Sequence, residues 1–147
     1  MKNNNEELGD LITSKICMTK DIGICGNMFG GVLLSVLDEA GAMFASTLVK
    51  SKNVVTLKIE EVLFLHPIKT GDLIEIYGDL LKVGNTSVTI KLSVKSVDPE
   101  IGSKIVCTTS MVFVKVAPNG KSTPIDTPVS LYLQELLKCR KLLHSNS

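Results

Sequence analysis

The sequence predicts an α+β fold in which a curved antiparallel sheet wraps around one long central helix. Three observations carry that reading. The stretch from about Phe29 to Val49 is apolar almost all the way round, which marks a helix covered by other structure rather than one lying on a surface. Later segments up to about Val116 switch to a period of two, as strands do. The strands follow one another with the helix set apart near the start, which is the order of an α+β domain and not of a doubly wound one.

Residues 1–10, MKNNNEELGD, read as a frayed polar tail, and Leu11 to Met18 as a short first strand. Thr19 to Gly26 is a loop, and Asn27-Met28-Phe29-Gly30-Gly31 leads into the helix. Val55, Leu57 and Ile59 then alternate with Thr56, Lys58 and Glu60, so the next strand is expected to bury one face. His66-Pro67 breaks it, and Thr70-Gly71-Asp72 turns the chain. Leu73 to Val83 and Ser87 to Val97 form a hairpin about Gly84-Asn85. Asp98-Pro99-Glu100-Ile101-Gly102 turns into a strand from Lys104 to Val116, which Asn119-Gly120 closes. Val129 to Leu143 reads as a short amphipathic surface helix. The chain thus divides into a tail (1–10), one domain (11–128) and a C-terminal helix and tail (129–147), with no repeat or low-complexity tract.

Composition narrows the function. A chain of 147 residues can bury about two thirds of its unfolded surface. Its formal net charge of +1 gives no pull toward nucleic acid or anionic membranes. Arg140 is the only arginine, so a phosphate must be met by lysine or backbone N–H groups. Tryptophan is absent and Phe and Tyr are sparse, which argues against base stacking, and no nucleic-acid partner is expected. Cys17, Cys25, Cys107 and Cys139 lie far apart and only His66 and His144 could join them, so no metal site is expected. The tail lacks the apolar core of an export signal, so the expected location is the cytoplasm, with free thiols. Phe29 to Val49 is long enough to cross a bilayer. Asp38 and Glu39 in its middle would be costly there, so a buried helix is the better reading and no membrane partner is expected.

The chemistry concentrates at Gly26-Asn27-Met28-Phe29-Gly30-Gly31 and Asp38-Glu39. Two glycines at a helix start cost helix stability. They suit a place where backbone must come close to something else. The first N–H groups of a helix lack intrahelical partners and carry the positive end of its dipole, so they can hold a developing oxyanion. A tight loop-to-helix junction explains the glycine pair as well. Asp38 lies seven residues after Gly31, on roughly the same helix face. A carboxylate on a buried helix must be paired, hydrogen-bonded or functional. Glu39 competes, about 100° round the helix, and Asp38 shares the glycines' face better. His66 reads as a turn histidine. No G-x-S-x-G nucleophile elbow and no P-loop is present.

These residues resemble the hot-dog-fold acyl-CoA thioesterases, in particular their small bacterial broad-specificity branch. The resemblance spans roughly Cys17 to Pro128. It rests on GNMFGGVLLSVLDEAGA at 26–42, on Phe64-Leu65-His66-Pro67-Ile68 followed by Gly71-Asp72, and on Lys82-Val83-Gly84-Asn85-Thr86-Ser87. It implies a homodimer whose sheets join edge to edge, active sites across the dimer interface, and assembly as a hexameric trimer of dimers. It also implies Asp38 as general base or nucleophile and backbone N–H groups around Gly30 and Gly31 polarising the thioester carbonyl. Asn27 would position substrate or water. Phe29, His66 and Pro67 would meet the substrate, and Lys82, Val83, Gly84, Asn85, Thr86 and Ser87 would contact coenzyme A. No metal or resident cofactor is implied. The chain departs from the family at Gly23, where an Asn credited with a catalytic hydrogen bond is usual, and at Asn85, a position that is often Arg. Besides hydrolysis, the sequence leaves open a hydration or dehydration of acyl thioesters and a non-catalytic acyl-CoA binder or metabolite sensor.

Overall fold

The computed structural model of the chain describes residues 7–145. Its elements are β1 (Asp10–Ile16), a 3-10 turn (Thr19–Asp21), α1 (Gly30–Val49), β2 (Val54–Phe64), β3 (Leu73–Val83), β4 (Ser87–Asp98), β5 (Gly102–Lys115) and α2 (Thr127–Ser145). The strands form one antiparallel sheet in the order β1-β3-β4-β5-β2, which leaves β1 and β2 as its edges.

One face of the sheet packs on α1. Leu33, Leu37, Ala40, Phe44, Ala45 and Val49 meet Ile74, Ile76, Ile90, Leu92, Met111 and Phe113 in a single core. Burying each larger side chain there is worth about 1.5–3 kcal/mol. Gly41 lets the helix seat closely, since a Cβ at that position would lie 2.9 Å from Phe113 Cζ and 3.2 Å from Met111 Sδ. The sheet covers only one side of α1. Gly31, Ser35, Glu39, Met43 and Thr47, spaced by four, form an exposed stripe along the other. α1 is long and apolar enough to cross a bilayer, but here its apolar side is packed on the sheet.

Three expectations are corrected. Val55, Leu57 and Ile59 do not make one buried face: they are 47%, 66% and 41% exposed. A bulge between Thr56 and Lys58 breaks the alternation, so that Thr56 pairs with Phe113 and Ile59 with Met111, both core residues, while Leu57 is the unpaired extra residue. The closing helix is longer than read and is not confined to the surface. It runs Thr127–Ser145, and Leu133 is fully buried in the common core. Arg140 ties it to Asp79 of β3 and Asp10 of β1. The β3–β4 hairpin turns on Asn85-Thr86, one residue later than expected, because the Gly84 N–H donates to the Ser87 carbonyl at 2.8 Å.

Candidate active site

The approach to α1 is fixed by backbone hydrogen bonds. The Phe29 N–H donates to the Asp21 carbonyl at 2.8 Å, and the Met28 N–H to the Ile68 carbonyl at 2.7 Å. Asp21 is buried, and its carboxylate accepts the Met18 N–H and the Lys15 ammonium, each at 2.9 Å. The Met18 N–H first, and Lys15 after it, hold the Asp21 carboxyl below its ordinary range. Phe29 is the N-cap residue and makes no side-chain cap. Its carbonyl takes the N–H groups of both Val32 and Leu33. The N–H groups of Gly30 and Gly31 come before the first intrahelical bond, so they have no helical acceptor and sit at the positive end of the dipole.

Beside this start lies a cleft of about 390 Å³, lined by Asn27, Met28, Gly30, Leu33 and the run Phe64, Leu65, His66, Pro67 and Ile68. Asn27, Gly30, His66 and Pro67, singled out from the sequence, therefore come together, and Phe29 and Gly31 adjoin them. The Lys69 ammonium donates to Asn27 Oδ1 at 3.3 Å. An ammonium only donates, so this contact turns the Asn27 amide with its oxygen toward Lys69.

Asp38 lies on α1 further along. It is half-buried, whereas Glu39 is exposed. Thr56 Oγ1 donates to Asp38 Oδ1 at 2.6 Å. Sequence reasoning missed Thr56, because the bulge that turns it toward α1 leaves no trace in the apolar alternation of β2. Asp38 is eight residues beyond Gly30, which at 1.5 Å per residue is about 12 Å along the axis.

The β3–β4 hairpin belongs with Asp38 and Thr56, not with the cleft. Thr86 and Asn85 are braced by the N–H groups of Lys115 (2.8 Å) and Ile125 (2.9 Å) to their carbonyls. Ser87 pairs with Val114 and Val54 with Lys115, so Lys82, Val83, Gly84, Asn85, Thr86 and Ser87 sit at the end of the sheet where β2 begins. The cleft sits where β2 ends, at Phe64. One chain thus carries two groups of candidate residues at opposite ends of an eleven-residue strand.

A single antiparallel sheet packed on one long helix is the hot-dog arrangement. The thioesterase superfamily model matches residues 25–103. A Haemophilus influenzae protein named as an uncharacterised acyl-CoA thioester hydrolase is 35% identical over 140 residues, 92% of this chain and 90% of that one. YciA, the acyl-CoA thioester hydrolase of Escherichia coli K12, is 34% identical, over 80% of this chain and 92% of its own. Among solved structures, a hexameric broad-specificity acyl-coenzyme A thioesterase, determined as an aspartate-to-alanine variant, superposes with a TM-score of 0.81 at 31% identity, covering 88% of this chain and 98% of that one. A hexameric hot-dog thioesterase of Campylobacter jejuni gives 0.77 at 32%, covering 86% and 97%. The chain belongs to the thioesterase superfamily, within its hot-dog acyl-CoA thioester hydrolases.

Proposed function

We propose that this protein hydrolyses acyl-coenzyme A to free acid and coenzyme A, at sites each shared by two protomers of a homodimer. The observation that carries this is the separation on α1 of two complementary groups. Gly30 and Gly31 offer open N–H donors, and Asp38, about 12 Å further along the helix axis than Gly30, offers a carboxylate aligned by Thr56. A reacting carbonyl must lie about 3 Å from the oxyanion donors and from the attacking oxygen, which the carboxylate must itself reach, so the separation favours groups supplied by two chains.

A two-fold pairing resolves this. β2 is an edge strand with Val55, Leu57 and Leu63 exposed, and such an edge calls for cover. Two β2 strands paired antiparallel about a dyad would bring the Phe64 end of each beside the Val54 end of the other. The cleft of one protomer would then meet Asp38, Thr56 and the β3–β4 hairpin of its partner. The exposed stripe of α1 would be covered by the same association. The relatives described as hexameric support further assembly of such dimers into a trimer of dimers.

In this site Asp38 takes a proton from water as the hydroxide oxygen attacks the thioester carbon. The N–H groups of Gly30 and Gly31 hold the oxyanion. Collapse breaks the C–S bond, and the coenzyme A thiolate recovers the proton from Asp38. Direct attack by Asp38 would instead form an acyl anhydride that water then cleaves, with the same groups in the same places. Asn27 positions the substrate, Phe29, His66 and Pro67 border it, and the hairpin from Lys82 to Ser87 meets coenzyme A. No cofactor takes part. Its four free cysteines fit a cytoplasmic enzyme.

Gly23 favours a second reading, a non-catalytic acyl-CoA binder. A Cβ there would lie 3.2 Å from Phe29 Cδ2, so the ring of Phe29 closes the space where a resembling sequence carries Asn. Thiol release from short to long acyl-CoAs, by wild type and by Asp38→Asn, decides between the two. The thioesterase reading expects turnover that collapses in the folded variant. Saturable binding without thiol release on any ester would establish the binder.

A further inference from the structure

The two glycines at the start of α1 are each covered by an aromatic ring. A Cβ on Gly30 would lie 3.4 Å from Phe64 Cζ, and one on Gly31 would lie 2.9 Å from Phe29 Cε1. A Cβ on Gly23 would lie 3.2 Å from Cδ2, on the other edge of the Phe29 ring. Despite these contacts, Phe29 is 60% exposed and Phe64 54% exposed, so each ring keeps a free edge. The side-chain directions of successive helical residues differ by about 100°. The two rings therefore lie in different directions about the start of α1, beside the residues that carry the Gly30 and Gly31 N–H groups. Rings at such a place contribute little to the core, which is built from other residues.

We propose that Phe29 and Phe64 form a two-walled slot over the oxyanion donors that selects acyl thioesters with an unbranched α-carbon. This rests on the hydrolysis reading above and adds the substrate class. A thioester whose oxygen faces the two N–H groups has its α-carbon between the rings. Two hydrogens on that carbon fit, whereas a methyl branch is driven against a ring. Phe29 and Phe64 are thus specificity-determining residues, and Gly23 and Gly31 fix where the first of them stands.

The test is kcat/KM for pairs of esters matched in carbon number, butyryl-CoA against isobutyryl-CoA and octanoyl-CoA against 2-methylheptanoyl-CoA. Wild type is expected to prefer the linear member by about tenfold or more, the range a misfitting methyl group commands. Phe29→Ala and Phe64→Ala are expected to lower that ratio by about tenfold while still turning over the linear ester. Phe→Leu at the same positions gives intermediate ratios and replaces any alanine variant that does not fold. Equal turnover of both members by wild type, or a ratio unchanged in the variants at both positions, overturns the slot and leaves hydrolysis standing. No thiol release from any of the four esters overturns hydrolysis and the slot together.

Discussion

The start of α1 and its middle are built on opposite plans. At the start, the chemistry is backbone: two N–H groups set by loops that hydrogen-bond to Asp21 and Ile68, with two rings alongside. At the middle it is one side chain, Asp38, aligned by a single hydroxyl from an edge strand. The first half is a finished cleft within one chain. The second lies against a strand whose apolar residues face solvent. On the function proposed above, the difference is that of two half-sites, which a second copy of the chain would bring to one carbonyl.

The sharpest way to break that comparison is to disable each half separately and then mix. Asp38→Asn is expected to lower kcat by about 10²–10⁴, the usual contribution of a positioned base. Gly30→Pro removes one N–H at the first helical position, where proline is tolerated, and Phe29 already has the extended ψ of 130° that a following proline requires. It is expected to cost about 10²–10³ in kcat. Subunits of the two variants, dissociated and reassociated together, should recover about a quarter of wild-type activity, because random pairing makes half the dimers mixed and each mixed dimer has one intact site of two. Mixtures no more active than their parents would show that each site is built within one chain.

A smaller effect tests how Asp38 is held. Thr56→Val keeps the shape and removes the hydroxyl. Hydrogen bonds to a charged group contribute about 1.5–3 kcal/mol, so kcat should fall by about 10- to 100-fold with the protein still folded. An unchanged kcat would mean that Thr56 only closes the strand against the helix.

The two halves were not equally legible in the sequence. The helix start was readable because its signal is local: two adjacent glycines, an uncapped start, and a histidine-proline break that the Met28–Ile68 hydrogen bond brings beside them. Asp38 stood out because a carboxylate inside an apolar helix is conspicuous. Its partner Thr56 did not, since it is eighteen residues away and a bulge decides which way it faces. Val55, Leu57 and Ile59 alternate as a buried face would, yet the same bulge sends them to different sides, and β2 is an edge. The exposed apolar residues of β2 form a surface that a single chain does not cover.

The least effect falls on the helix start, through Asp21. Its carboxylate ties the turn at Thr19–Asp21 to Met18 and Lys15, and its carbonyl receives the Phe29 N–H. The folded-state pKa lies below the ordinary value, chiefly through the Met18 N–H and then through Lys15. Its stabilisation is therefore complete above the unfolded value of about 3.9 and is lost as pH falls through the lower folded value. Asp21→Asn, which keeps the size and forfeits the charge, should melt below wild type at neutral pH, and the gap should close as pH falls below about 4 and through the lower folded value. A gap that stays constant would show that the charge contributes nothing and that only shape matters at this turn. Because the turn carries Phe29 and the cleft, the same variant should raise KM for acyl-CoA, whereas Thr56→Val should act mainly on kcat.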